Sequence, residues 1–409
     1  MIQAPAQRVH PFFRYSAEVL SWRLGSPGEQ PPFTPPTVAQ TKVRVGRILR
    51  AAADRPAVIL LGLGSGELAG ALAVSLPPDI PLFVLSLDPE AARQRFATGQ
   101  VSWLTPGGSR QLLVDTSEQA LMCLLACVGC VPERCLITVN PESSTPQERT
   151  GLSRLRRLLS GIGGPLPAVE PSGTRPDVTL AVLARPNEPD LPGFLASVAD
   201  LPTRVIIVWD AAAVPAVARQ AGVPGNVPVL HLARPLQGDF AAQRNAMLSA
   251  CPTGWVLYLD PDERPGPGFR DAVRRIMTLA GVGGAYFPRL TFYPDASRVK
   301  VGHGLWPDLQ LRLFYNLPPT HPHFVRPIHE RLEGLSGQAV LALDAPILHL
   351  NRLLTDDATV AGKLSAFSRA PGAPHHRLNR EYPTLPLTFF TALGGDLPTG
   401  RVLLLPPLW

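Results

Sequence analysis

The chain has 409 residues, 45% hydrophobic and 17% charged, with a formal net charge of +6. That length suits two domains that each bury a core, and the composition excludes a chain dominated by disorder. Arginine carries nearly all the positive charge, since Lys42, Lys300 and Lys363 are the only lysines. The arginines are scattered, and no basic run alternates with aromatics, which argues against nucleic acid; the charge suits phosphorylated ligands or an anionic membrane surface, or equally reflects a compositional bias toward arginine. No stretch reaches the ~20 apolar residues of a membrane span, and Met1 to Arg14 has no apolar core of signal-peptide length. The expected location is cytoplasmic, extending to the inner face of the cytoplasmic membrane.

The first fifty residues open on irregular, Pro-rich sequence, and a helix is expected from Val38 to Ala53. Ala57 to Leu61 is a short apolar run between Pro56 and Gly62, the signature of a buried strand. Gly62, Gly64 and Gly66 make a turn, followed by a helix from Glu67 to Ser75 and a second strand from Leu82 to Leu87 that ends at Asp88. Strand, glycine turn, helix, strand and acid in this order describe half of a doubly wound nucleotide fold. Further strands are expected at Gln111–Val114 and Leu136–Val139, with a helix from Ser117 to Cys127 between them. Residues 1–165 are therefore expected to form a Rossmann-like α/β domain of uncertain role. The Gly- and Pro-rich stretch at 166–177 reads as a linker.

A second alternation then begins, over residues 178–370. Strands are expected at Val178–Ala184, Arg204–Trp209, Val227–Leu232 and Trp255–Leu259, separated by helices at Leu191–Ala199, Val214–Gln220 and Phe240–Ala250. This implies a mostly parallel sheet with helices on both faces. Strands at Tyr286–Tyr293 and Leu309–Tyr315 suggest a more mixed region, followed by a helix from Asp356 to Ser368. Residues 371–409 form an apolar, Pro-punctuated tail, read as docking on the protein or touching a membrane surface.

The strand Trp255–Leu259 runs straight into Asp260-Pro261-Asp262-Glu263. Open α/β sheets bind ligands at that edge, and an Asp-x-Asp pair offers the hard oxygens that Mg²⁺ or Mn²⁺ requires. Such a cation neutralises a diphosphate leaving group. An acidic turn capping a strand has the same appearance, so the surrounding sequence decides between the two. Asp239-Phe240 and Gln243-Arg244-Asn245 precede the pair. Gln310 to Phe314 and Ile328-His329-Glu330 follow it.

This ordered set resembles glycosyltransferase family 2, in the branch similar to lipopolysaccharide core biosynthesis enzymes, over about residues 178–369. The resemblance implies a GT-A fold and an inverting transfer of sugar from a nucleotide-diphosphate donor to an acceptor hydroxyl, in bacterial surface glycan or lipopolysaccharide assembly. It implies Asp262 as metal ligand, with Asn187, Glu188, Asp210, Arg244, Asn245 and Asp260 on the donor. The acceptor would be a glycan or a lipid-linked glycan, with peripheral membrane contact. Inversion needs a general base: Glu330 ranks first, then His329 and Asp308; the structural alternative is that Glu330 only pairs with Arg331 or Arg312 and that His329 only orients it. The chain departs from the pattern at Arg185-Pro186 before Asn187, at Ala211 to Ala213 after Asp210, and at Pro261.

Two alternatives stand beside this reading. Gly62, Gly64 and Gly66 could cradle a nucleotide or S-adenosylmethionine, with Asp88 on a ribose, the latter as in a methyltransferase, or form only a tight strand–helix turn. The second half could be a catalytically degenerate, glycan-binding protein. Cys123-x3-Cys127-x2-Cys130 has the spacing of an iron–sulfur motif, but it lies in an apolar helix-like run and reads as core packing. His321 and His323 read as loop residues.

Overall fold

The computed structural model describes residues 9–23, 36–130, 133–142, 145–166, 177–317, 322–327, 330–355, 358 and 381–406. Apart from Ala358, the expected helix at 356–368 lies outside the described residues, as do the candidates His321 and His329.

The first half is a four-stranded parallel sheet of β1 (Val58–Leu61), β2 (Leu82–Ser86), β3 (Arg110–Val114) and β4 (Leu136–Val139), in the order β3-β2-β1-β4. It carries α1 (Pro11–Ser21), α2 (Val38–Ala52), α3 (Glu67–Ser75), α4 (Pro89–Ala97), α5 (Glu118–Cys127) and α6 (Pro146–Gly161). The inner strands are buried throughout, and apolar except at Ser86, because helices cover both faces of a parallel sheet. Three helices go beyond the sequence reading: α1, α4 and α6. Each has a proline in its first turn and a side-chain N-cap, from His10, Asp88 and Thr145 respectively, the arrangement that starts a helix without an orphaned N–H.

The second half is a mixed sheet. Its parallel part comprises β5 (Val178–Ala184), β6 (Arg204–Trp209), β7 (Val229–Ala233) and β8 (Gly254–Tyr258). Beyond it lie β9 (Glu263–Pro265), β10 (Val282–Thr291), β12 (Leu309–Asn316), β15 (Gln338–Ala342), β16 (Ile347–His349) and β18 (Val402–Leu404). The order is β18-β15-β10-β12-β8-β5-β6-β7, with β12 antiparallel to both neighbours and β16 pairing with β10 and β9. Two small ribbons complete it: β11 (Arg298–Lys300) with β17 (Thr384–Pro386), and β13 (His323–Val325) with β14 (Arg331–Glu333).

Alternation along the strands sends Leu180, Val182, Ile207 and Leu257 to one face, where α7 (Leu191–Ser197) and α9 (Phe269–Ile276) cover them. Ala181, Ile206, Val256 and Tyr258 go to the other face, under α8 (Phe240–Ala250). The segment expected as a helix at 214–220 is a short 3₁₀ turn, Ala216–Gln220.

The halves share one core. Side chains of β1–β3 and α5 cluster with Tyr286, Trp306, Leu341, Leu385, Phe389 and Leu403. The tail docks on the protein: β17 pairs with β11, and β18 extends the large sheet as an edge strand on β15. Arg401 fastens it, donating to both oxygens of Asp344 at 2.6 and 2.8 Å and to the Ala126 and Cys127 carbonyls at the end of α5. Cys123 and Cys127 are buried in this shared core, as the packing reading expects. No helix among the described residues is long and apolar enough to cross a membrane.

Candidate active site

After β5 the chain moves to β6 and β7 on one side, then returns to β8 on the other. This reversal is a switch point, where a crevice opens at the carboxyl ends of the strands. Asp260, Pro261 and Asp262 follow β8 at that edge, Asp210 follows β6, and Asn187 and Glu188 follow β5.

Asp260 is fully engaged. Tyr258 donates to its Oδ1 at 2.6 Å, and Arg312 to its Oδ2 at 2.5 Å. Arg312 arrives because the antiparallel register sets Leu313 opposite Leu257, which places Arg312 beside Tyr258. Its guanidinium also stacks over the Tyr258 ring, 4.7 Å from the centroid. Burial raises the pKa of Asp260, but Arg312, Arg244 and the Tyr258 hydroxyl outweigh it and hold the carboxyl well below the usual range. Burial pushes the Tyr258 hydroxyl the other way, above its ordinary value.

Glu263 is completely buried. It accepts from Arg312 at 2.6 Å and from Arg289 at 3.1 Å. Arg289 in turn clamps Asp308, with Nε at 2.8 Å, and Gln310 donates to the second oxygen of Asp308 at 2.7 Å. Asp308 sits at φ +42°, an uncommon conformation for a residue with a side chain. Glu330 pairs with Arg244, whose Nε donates to the Tyr258 hydroxyl at 2.8 Å. A continuous network thus runs from Glu330 through Arg244, Tyr258, Asp260, Arg312, Glu263 and Arg289 to Asp308. Arg244, rather than Arg312 or Arg331, is the partner of Glu330, since Arg312 is committed to Asp260 and Glu263 and Arg331 to Glu333. Among the described residues, the second oxygen of Glu330 has no partner, whereas both oxygens of Asp308 do.

Asp262 faces a residue that the sequence did not single out. His349 Nε2 lies 3.5 Å from Asp262 Oδ2, and Thr291 Oγ1 is 3.1 Å from His349 Nδ1. The pairing of β16 with β9 and β10 sets His349 opposite Glu263 and Thr291, and the Leu350 N–H donates to the Asp262 carbonyl at 2.8 Å. Burial raises the Asp262 carboxyl, but the hydrogen bond and charge of His349 prevail, leaving its pKa below the usual value.

The remaining candidates divide. Asp210 accepts from the Leu236 N–H at 2.7 Å and so anchors the loop after β7. Glu188 pairs with Arg185 at 3.3 Å, and Asn187 is exposed. Asn245 spends both ends of its amide on the backbone of Phe324, at 2.7 and 2.9 Å, which fastens β13 to α8. His323 is exposed on β13.

In the first half the glycine turn adopts φ +97°, +59° and +89° at Gly62, Gly64 and Gly66. The space it encloses holds the chain's own carboxylate. Glu142 Oε2 accepts from Ser65 Oγ at 2.7 Å and from Ser65 N at 3.3 Å, and Arg44 reaches Oε1 at 3.2 Å. A Cβ at Gly64 would meet Asn140 Nδ2 at 2.6 Å and Glu142 Cβ at 2.8 Å. Asp88 caps α4 through the Ala91 N–H at 2.9 Å.

Among the described residues no three His, Cys, Asp or Glu side chains converge into a ready metal site. Asp262 offers a hard oxygen of the kind that Mg²⁺ takes together with substrate phosphates and water, and His349 lies beside it at 3.5 Å. Asp260 does not fit as a ligand because arginine and tyrosine occupy its oxygens. Comparison with protein-family models and with curated proteins returns no match for this chain.

Proposed function

We propose that residues 178–355 form a metal-dependent, inverting glycosyltransferase of the GT-A kind, using a nucleotide-diphosphate sugar. The observation that carries this reading is the Asp260–Glu263 turn at the switch point, with Asp262 facing His349 and its neighbours neutralised by arginines. The topology supports it, because β5, β6 and β8 bring Asp210, Glu188 and Asp262 to one edge.

In this reading Asp262 and His349 hold Mg²⁺ or Mn²⁺, which offsets charge on the departing diphosphate. Tyr258, Arg312 and Asp260 form a fixed, already neutralised floor that needs no rearrangement as charge develops. Arg244 orients Glu330 through one carboxylate oxygen and leaves the other to take the acceptor proton. Asp308 is less suited, since Arg289 and Gln310 use both of its oxygens. The acceptor is a glycan or lipid-linked glycan of a surface-polysaccharide or lipopolysaccharide type, reached from the cytoplasmic side.

The test is release of nucleoside diphosphate from a panel of nucleotide sugars with Mn²⁺ and a glycan extract as acceptor. Glu330→Gln is expected to lower turnover by at least 100-fold, within the range removed with a general base, while donor affinity stays within a factor of about three. Equal turnover in wild type and Glu330→Gln removes Glu330 from the mechanism. A donor affinity that falls together with turnover makes its role structural.

A further inference from the structure

Lys300 is one of three lysines in the chain, and the only one on a strand of the fold described above. It is 7% exposed. Its ammonium lies 3.6 Å from the centroid of the Tyr382 ring and 5.1 Å from that of Tyr293, and those rings meet edge to face at 5.0 Å. Arg352 approaches the same Tyr293 ring, at 5.6 Å. Among the described residues Lys300 has no carboxylate, carbonyl or hydroxyl partner. Among the described residues, Glu18 accepts the Thr384 N–H at 2.8 Å, Asp295 binds Ser297, and Glu381 is exposed. Burial pushes Lys300 down to about 8, and the charge of Arg352 adds to that. An ammonium buried without a counter-charge carries a desolvation penalty that aromatic faces offset only in part.

The position bears on function. Tyr293 follows Thr291 and Phe292, of which the first contacts the His349 ring and the second donates to the His349 carbonyl at 3.2 Å. Arg352 lies on α10 (Asn351–Leu354), which begins two residues after His349. The segments that shape the Asp262–His349 pair therefore also build this cluster. It lies on the β10–β16 side of Asp262, whereas Asp210 lies on the β6 side. A donor stretched from β6 to Asp262 leaves the β10–β16 side to the acceptor.

We propose that Lys300, Arg352, Tyr293 and Tyr382 form an acceptor subsite that takes a sugar bearing a phosphate or carboxylate group. The word acceptor rests on the transferase reading; the anionic-sugar site does not. The Lys300 ammonium meets the anion, as lysine commonly does for phosphate, and Arg352 adds positive charge beside it. The tyrosine rings offer apolar faces to the sugar's C–H surface and polar hydroxyls at its rim.

The experiment titrates the full chain, without donor or metal, with glucose 6-phosphate, glucuronate, glucose and inorganic phosphate by calorimetry. Lys300→Met and Lys300→Arg are compared with wild type, and each variant is also melted. The expected result is that at least one anionic sugar binds tenfold or more tightly than glucose and inorganic phosphate. Lys300→Met should lose that preference, and Lys300→Arg should keep most of it. Lys300→Met should melt at or above the wild-type temperature at pH 7, because it removes an uncompensated buried charge. Equal binding of the anionic sugars to wild type and folded Lys300→Met overturns the proposal, as does inorganic phosphate binding as tightly as the sugars. No nucleotide sugar is present, so failure of the transferase reading cannot produce either result.

Discussion

Replacing Arg312 with methionine should expose the electrostatic design of the site. Arg312 is 4% exposed and carries charge-assisted hydrogen bonds to two carboxylates, at 2.5 Å to Asp260 and 2.6 Å to Glu263. Methionine fills most of the aliphatic volume, so little of the effect comes from a cavity. Glu263 retains Arg289 and Asp260 retains Tyr258, but both lose their closest cation. Breaking a buried pair from one side costs about 3–5 kcal/mol, a large share of the 5–15 kcal/mol typical of a folded domain.

The pH dependence identifies the cause. In the wild type the folded pKa of Asp260 is depressed, so its contribution is complete above its unfolded value of about 4 and is lost only as pH falls through the depressed value. Without Arg312, burial dominates and raises the folded pKa, so the variant recovers stability as pH falls and the carboxylates take up protons. Urea unfolding followed by tryptophan fluorescence should show the widest gap between the proteins at pH 7–8 and a narrowing gap below about pH 5. A constant gap at all pH values would mean lost packing rather than uncompensated charge. No gap at pH 7 would refute the network altogether.

Gly64→Ala should lower stability by about 1–2 kcal/mol from its left-handed backbone alone, more with the contact to Asn140. Thermal melting should show this loss with or without S-adenosylmethionine; a ligand that restores the melting temperature would revive a binding role for the turn. Arg401→Met leaves Asp344 with only the N–H of residue 401, at 3.0 Å, and takes the guanidinium away from the Ala126 and Cys127 carbonyls at the end of α5, at a cost of about 3 kcal/mol. Hydrogen exchange should then quicken at the end of α5 and in β18 together, and protection lost in β18 alone would mean that the tail does not brace the first half.

Much of the scaffold is legible in the sequence because short apolar runs ending in Gly or Asp have few other readings. The strands at 58–61, 82–86, 178–184, 204–209 and 254–258 lie where those runs predict, and the Asp260–Asp262 pair falls at a strand end for the same reason. Local ambiguity hid other elements. Asp88 reads as a ribose-binding acid, yet Asp88-Pro89 is also a helix start, and the helix is what forms. Long-range pairing hid the rest. His349, a single histidine at the end of a three-residue strand, gains meaning only once β16 lies against β9 and β10. Arg312 and Arg289 are ordinary charges in a strand pattern until the antiparallel register of β12 turns them toward buried acids. The reach of Glu142 into the glycine turn, 78 residues from Gly64, leaves no local signal.

The most direct test of the central proposal is calorimetric titration of nucleotide sugars, with and without Mn²⁺, into wild type, Asp262→Asn and His349→Ala. One donor is expected to bind the wild type only with metal, and each variant to weaken this binding by at least tenfold. Binding of no donor in the presence of metal, or metal-dependent binding unchanged in both variants, would contradict it.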